Sequence, residues 1–229
     1  MIMDIDFSVD NTNQRTPCIL VLDASGSMET PCPGGTRIGQ LNSGLEALKN
    51  ELMSDATARS RVQLALVVVG GPSAGAEILM NWTEAREFQP LPIRADGTTP
   101  LGQGLIVALD AVEQLKDILR QHGVSYTRPW MMVITDGEST DPDNVWQDAV
   151  KRCRDAEFQR KVQIWPIAVE GANLSKLQEI SSTPVKSLNG LRFPELFQWL
   201  SASLAAVTRS RPGDSLQLPS SDPWASVRM

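Results

Sequence analysis

Short apolar runs alternate with segments of helical periodicity along most of this chain, and that alternation restricts its fold more than any other feature. Strands separated by helices pair through crossover connections, so the pattern specifies an α/β domain with parallel strands. The runs fall at 17–22, 62–69, 129–135 and 162–169. Each is nearly continuous, as in strands covered on both faces. Residues 77–82 read instead as an antiparallel neighbour of the second run, joined to it through Gly70-Gly71-Pro72.

The intervening segments carry helix signals. Thr36 can cap a helix that lines up Ile38, Leu41, Leu45, Leu48 and Leu52. A longer helix begins near Pro100, buries Leu101, Leu105, Ala108, Leu109, Val112, Leu115 and Leu119, and stops near Gly123. Asp141-Pro142 reads as an N-cap followed by proline at the first helical position, opening a helix that runs to about Phe158. Pro166 removes a ladder donor from the fourth run and predicts a bulge or a locally unpaired edge. A helix at 174–180, a strand at 185–188 and a helix at 194–207 complete the layer. A chain of 229 residues, 41% hydrophobic, suits one such domain over 16–208. Residues 1–15 read as a loosely ordered extension and the Ser- and Pro-rich 209–229 as a flexible tail.

Charge and cysteine content exclude several classes of function. The net charge of −6 argues against a generally basic surface for nucleic acid or anionic membranes. Cys18, Cys32 and Cys153 are odd in number and widely spaced, so neither a disulfide framework nor a zinc knuckle is indicated. The first residues are acidic where a secretory signal needs basic ones, and no run approaches the roughly 20 apolar residues of a membrane span. A cytoplasmic protein is expected.

The chemistry concentrates at strand ends. The first run closes on Asp23-Ala24-Ser25-Gly26-Ser27, the third on Asp136-Gly137-Glu138, and the loop Asp96-Gly97-Thr98-Thr99-Pro100 supplies a hydroxyl just before the long helix. With the first and fourth strands adjacent, all three segments lie on the carboxyl edge of the sheet, where open α/β folds place ligands. Singly, each is an ordinary turn or cap. Jointly they form an oxygen-only set, which suits a hard divalent cation. Thr98 and Thr99 compete for the loop role.

On these residues the chain resembles the von Willebrand factor A domain, whose metal-ion-dependent adhesion site uses Asp-x-Ser-x-Ser with a distant Thr and a distant Asp. The resemblance implies a three-layer Rossmann-like fold: a central, mostly parallel sheet with one antiparallel edge strand and helices on both faces. It implies Mg²⁺, with Mn²⁺ as a substitute, at Asp23, Ser25, Ser27, Thr99 and Asp136. Ser25, Ser27 and Thr99 would be direct ligands, and Asp23 and Asp136 would act largely through water; the spacing of Pro100-Leu101-Gly102 into the helix favours Thr99. Glu138 reads as an outer-sphere group or a rim charge. The implied role is a non-enzymatic interaction module that receives an Asp or Glu from a protein partner. The chain looks most like the bacterial cytosolic TerY-like group, which implies a stress-response or tellurium-resistance phosphorylation system with a protein kinase or PP2C-type phosphatase as partner. It lacks the Cys-rich zinc ribbon of some relatives, so functions tied to that appendage do not carry over.

Two other readings are open. The ion could be purely structural, bracing loops of a scaffold. Asp23 could instead be the nucleophile of a phosphoaspartyl-type hydrolase, although Ser25 stands where such enzymes carry a second Asp, and no matching lysine motif is evident. No Gly-rich nucleotide motif follows a strand. His122 reads as a helix-end residue, Cys18 and Cys153 as buried, and Trp82, Trp130, Trp146, Trp165 and Trp199 as packing residues.

Overall fold

A computed structural model of the chain describes residues 13–136, 138–210, 217–222 and 224–227. In chain order the elements are β1 (Thr16–Ala24), β2 (Pro31–Cys32), β3 (Gly35–Thr36), α1 (Arg37–Ser54), α2 (Ala56–Arg61), β4 (Val62–Gly70), β5 (Gly75–Glu84), α3 (Leu101–Gln121), β6 (Trp130–Thr135), α4 (Asp143–Phe158), β7 (Gln163–Ala168), α5 (Leu174–Glu179), β8 (Lys186–Leu188), α6 (Phe193–Arg209) and β9 (Ala225–Val227). The main sheet runs β5-β4-β1-β6-β7-β8-β9. The central strands are parallel, and β5 is antiparallel to β4 at one edge. This is the mixed α/β, Rossmann-like arrangement that the run pattern specifies.

Alternation along β1 explains the layers. Cys18, Leu20 and Leu22 join a core with α1 and α6, while Ile19 and Val21 join a second core with α3 and α4. Every residue of β1 and β4 is buried, so both faces of the sheet centre are covered. The predicted face of α1 is buried throughout, and Thr36 caps it by accepting from the Gly39 N–H at 3.2 Å. Close approach is bought with glycine: a Cβ on Gly44 of α1 would lie 2.6 Å from Phe197 of α6, and one on Gly104 of α3 would lie 2.3 Å from Val69 of β4.

Two expectations are corrected and a third is narrowed. Of the two outcomes expected at Pro166, the bulge is absent, since β6 and β7 pair in unbroken register from Trp130↔Gln163 to Thr135↔Ala168, and the locally unpaired edge is what forms, the ladder to β8 beginning at Ile167, one residue beyond the proline. The register shifts fall elsewhere, between β4 and β5 around Leu66. Asp141 does not cap its own helix. Pro142 occupies that position, and the Asp141 carboxylate accepts from Gly102 N–H (2.6 Å) and Gln103 N–H (3.3 Å) at the start of α3. Nor do the described residues of the C-terminal stretch, 217–222 and 224–227, stay apart from the domain. Trp224 is 1% exposed, β9 pairs antiparallel with β8, and the Pro219 carbonyl accepts from Trp199 Nε1 at 2.8 Å.

Of the N-terminal extension, residues 1–12 lie outside the described residues. Arg15 is fully buried, paired with Glu84 at 2.8 Å and donating to the Ser60 carbonyl at 3.1 Å. Among the described residues no helix is long and apolar enough to cross a membrane.

Candidate metal centre

The site begins where β1 runs out. Asp23 is its penultimate residue, 1% exposed, and the Ala24 carbonyl accepts from both Gly71 N–H (2.8 Å) and Asp96 N–H (2.9 Å). Gly26 N–H donates to the Gly97 carbonyl at 3.1 Å. The loops after β1, after β4 and before α3 are therefore stitched together by backbone bonds. Beyond Gly26 a single 3₁₀ turn over Gly26–Glu29 plants Met28 in the core, which leaves Ser27 turned toward the exposed rim.

Three of the five predicted side chains form one hydrogen-bonded string, and Asp23 joins it through the Ser25 backbone. The Ser25 and Ser27 hydroxyl oxygens are 3.0 Å apart, and Ser27 Oγ donates to Asp136 Oδ1 at 2.7 Å. Asp23 Oδ1 accepts from Ser25 N–H at 2.8 Å, and Asp23 Oδ2 accepts from Thr135 Oγ1 at 2.5 Å. Burial pushes the Asp23 carboxyl above the usual carboxylate range; its hydrogen bonds to Ser25 and Thr135 pull the other way, and the charge of Asp136 adds to the rise. Thr99 lies in the adjoining loop, 5% exposed, with its carbonyl accepting from Thr140 N–H at 2.9 Å. Its hydroxyl makes no hydrogen bond among the described residues. Thr98 is exposed, and its carbonyl faces Gly70.

Two members of the centre escape a reading by motif. Thr135 closes the apolar run of β6, and its hydroxyl orients Asp23 across 112 residues of chain. Arg37, the first residue of α1, places Nη1 2.5 Å from Asp136 Oδ2, whose side chain is 0% exposed. The available signal was a basic residue at a helix start, where the helix dipole disfavours it. Glu138 is occupied elsewhere, accepting from Asn173 Nδ2 at 2.7 Å. His122 stands at the C-terminus of α3 with Nδ1 2.9 Å from the Ile118 carbonyl. Cys18 and Cys153 are buried, and burial raises both thiols, Cys153 to about 12. Cys32 is half-buried in the rim hairpin.

The fold sets this oxygen-lined cluster on the carboxyl edge of an open α/β sheet, the place where such folds carry their ligand sites. A family model described as the von Willebrand factor type A domain matches residues 18–195, and the chain belongs to that family, whose members are generally protein-interaction modules. Among solved structures it is similar to the pilus adhesin SpaC from Lactobacillus rhamnosus GG, with a TM-score of 0.66 and 14% identity over 84% of this chain and 31% of the adhesin. It is also similar to proximal thread matrix protein 1 from the mussel byssus (TM-score 0.58, 16% identity, 84% of this chain and 48% of that one). The SpRpn10 VWA domain matches over 80% of this chain and 95% of its own, with a TM-score of 0.54 and 16% identity. At these identities the likeness concerns the fold alone. The chain spans under a third of the adhesin and about half of the matrix protein. No curated protein matches it in sequence.

Proposed function

We propose that this domain binds a protein partner through a divalent cation, Mg²⁺ or Mn²⁺, held by Asp23, Ser25, Ser27, Thr99 and Asp136. The observation that carries this reading is the string Ser25–Ser27–Asp136 beside the buried Asp23: an all-oxygen set drawn from distant parts of the chain. The donor chemistry fits a hard cation. So does the charge, because Asp136 is paired with Arg37 whereas Asp23 is held by hydrogen bonds alone among the described residues.

Ser25, Ser27 and Thr99 would supply the direct ligands. Asp23 and Asp136 would orient the serine hydroxyls and hold the ion through water. When bound, the ion supplies a Lewis-acid position that attracts a carboxylate from a partner's Asp or Glu. The Thr99 hydroxyl, unengaged among the described residues, suits the direct role.

Two observations favour partner binding over the alternatives. The loops are already joined by the Gly26–Gly97, Ala24–Asp96 and Thr99–Thr140 backbone bonds, so a bracing ion is not needed to assemble them. Both oxygens of Asp23 are engaged and the residue is buried, which is poor access for a phosphoaspartyl nucleophile. The resemblance to the TerY-like group extends the proposal to a cytoplasmic, bacterial stress-response or tellurium-resistance role, with a protein kinase or PP2C-type phosphatase as the partner.

The test is Mn²⁺ titration, followed by electron paramagnetic resonance, of wild type and Asp23→Ala, with circular dichroism to certify folding. Wild type should bind one Mn²⁺ and the folded variant none. Partners captured with Mg²⁺ should be lost both with EDTA and with Asp23→Ala. A folded wild type that binds no divalent cation, or Asp23-dependent phosphate release from a phosphomonoester, would overturn the proposal.

A further inference from the structure

We infer that Arg37 sets the charge of this centre so that the cation is held weakly until a partner carboxylate arrives. The inference rests on the metal-binding reading above and assigns to one residue the coupling between ion and partner.

The position of Arg37 is not explained by the helix that carries it. It is the first residue of an 18-residue helix, and no acidic side chain accompanies it in the first turn. A cation there opposes the helix dipole. Its hydrogen-bond geometry points to the site instead: Nη1 lies 2.5 Å from Asp136 Oδ2, while Asp136 Oδ1 accepts from Ser27 Oγ. The Arg37 side chain is 15% exposed and the carboxylate it meets 0%, so the pair is sheltered from solvent screening. Arg37 N–H also bonds the Thr30 carbonyl at 3.2 Å, which fixes the root of the side chain to the loop that follows Ser27.

Charge bookkeeping gives the consequence. Asp23 and Asp136 with Arg37 leave the cluster with one net negative charge. A bound divalent ion turns that into one positive charge, and a single incoming carboxylate cancels it. Without Arg37 the ion alone would neutralise the cluster, and a carboxylate would then overload it. The guanidinium therefore weakens the cation and strengthens the carboxylate that follows it, so a given concentration of carboxylate tightens the ion more with Arg37 than without, ion and carboxylate being positively coupled through their opposite charges. A planar guanidinium beside the ion also offers an incoming carboxylate a second point of contact.

The experiment measures Mn²⁺ affinity for wild type, Arg37→Gln and Arg37→Lys, each with and without acetate as the carboxylate probe, with folding checked by circular dichroism. Arg37→Gln is expected to bind Mn²⁺ about tenfold more tightly than wild type in the absence of acetate. The tightening of Mn²⁺ by acetate seen in wild type should shrink severalfold in Arg37→Gln and persist in Arg37→Lys. A merely structural role for Arg37 would weaken Mn²⁺ binding or leave it unchanged, and either result overturns the inference while the metal site stands. If wild type and both variants are folded and none binds Mn²⁺, the metal reading itself fails.

Discussion

Gly70 is the residue on which the loops of the centre close most tightly. It ends β4 at φ +85°, and a Cβ there would lie 2.5 Å from the Thr98 carbonyl oxygen and 3.0 Å from the Ser25 nitrogen. Both contacts are backbone, so neither can swing aside. Gly123 is a natural control, with φ +66° and nothing within 4 Å of its added carbon. Gly123→Ala should cost about 1 kcal/mol, the strain of a left-handed backbone alone. Gly70→Ala should cost more, about 2–4 kcal/mol, and should also weaken Mn²⁺ binding by parting the loops that carry Ser25 and Thr99. Urea unfolding of both variants, with Mn²⁺ titration of each, measures the difference.

Among the elements, α3 shows how the centre is assembled. Its first N–H groups are not capped by Pro100, which offers no side-chain acceptor, but by Asp141, 39 residues away from Gly102. Ser139 Oγ donates to the same carboxylate at 2.6 Å and holds it in place. Asp141 therefore ties the loop that follows Asp136 to the helix that follows Thr99. Asp141→Ala is expected to lower stability by about 1–2 kcal/mol and to weaken Mn²⁺ binding, whereas Asp55→Ala, which removes the cap of α2, should lower stability without touching Mn²⁺ affinity. The comparison separates capping from assembly of the site.

The legible elements were those whose signal is local. The α1 stripe from Ile38 to Leu52 and the runs of β1, β4, β6 and β7 are stated by nearest-neighbour periodicity, and the structure places them as read. Of the candidate centre, Asp23, Ser25, Ser27 and Asp136 were marked by following an apolar run, whereas Thr99 was marked only by preceding a helix. What the sequence concealed depends on distant partners. Residues 88–99 have no period, yet they cross to the centre because Asn42 pins Ile93 through both its amide oxygen and nitrogen, at 2.9 Å each. Arg37 acquires meaning only from Asp136, and Asp141 only from Gly102. The short α2 was missed because it has too few turns to show a stripe, although Asp55 caps it clearly.

On the scale of the molecule, the C-terminal segment completes a core that the sheet and α6 leave open. Trp130, Trp165, Trp199 and Trp224 pack in sequence, with ring centroids 5.1–6.2 Å apart. Lys186 reaches over Trp224 and donates to Ser221 Oγ at 2.8 Å, so the segment is held by its indole, a cation and the β8–β9 ladder together. Composition alone marked this stretch as unstructured, because one tryptophan among Ser and Pro carries no periodicity. Trp224→Ala should cost about 3–5 kcal/mol. Hydrogen exchange in that variant should rise in β8 and at the N-terminal end of β6 before it rises in β1 and β4, and uniform loss of protection would instead assign the segment to the global folding unit.

Four indole rings packed this closely are also an optical gauge built into the chain. Their ultraviolet transitions couple through space, and the resulting circular-dichroism bands change when Trp224 leaves the other three. Lifting of the C-terminal segment can therefore be followed in the unlabelled protein.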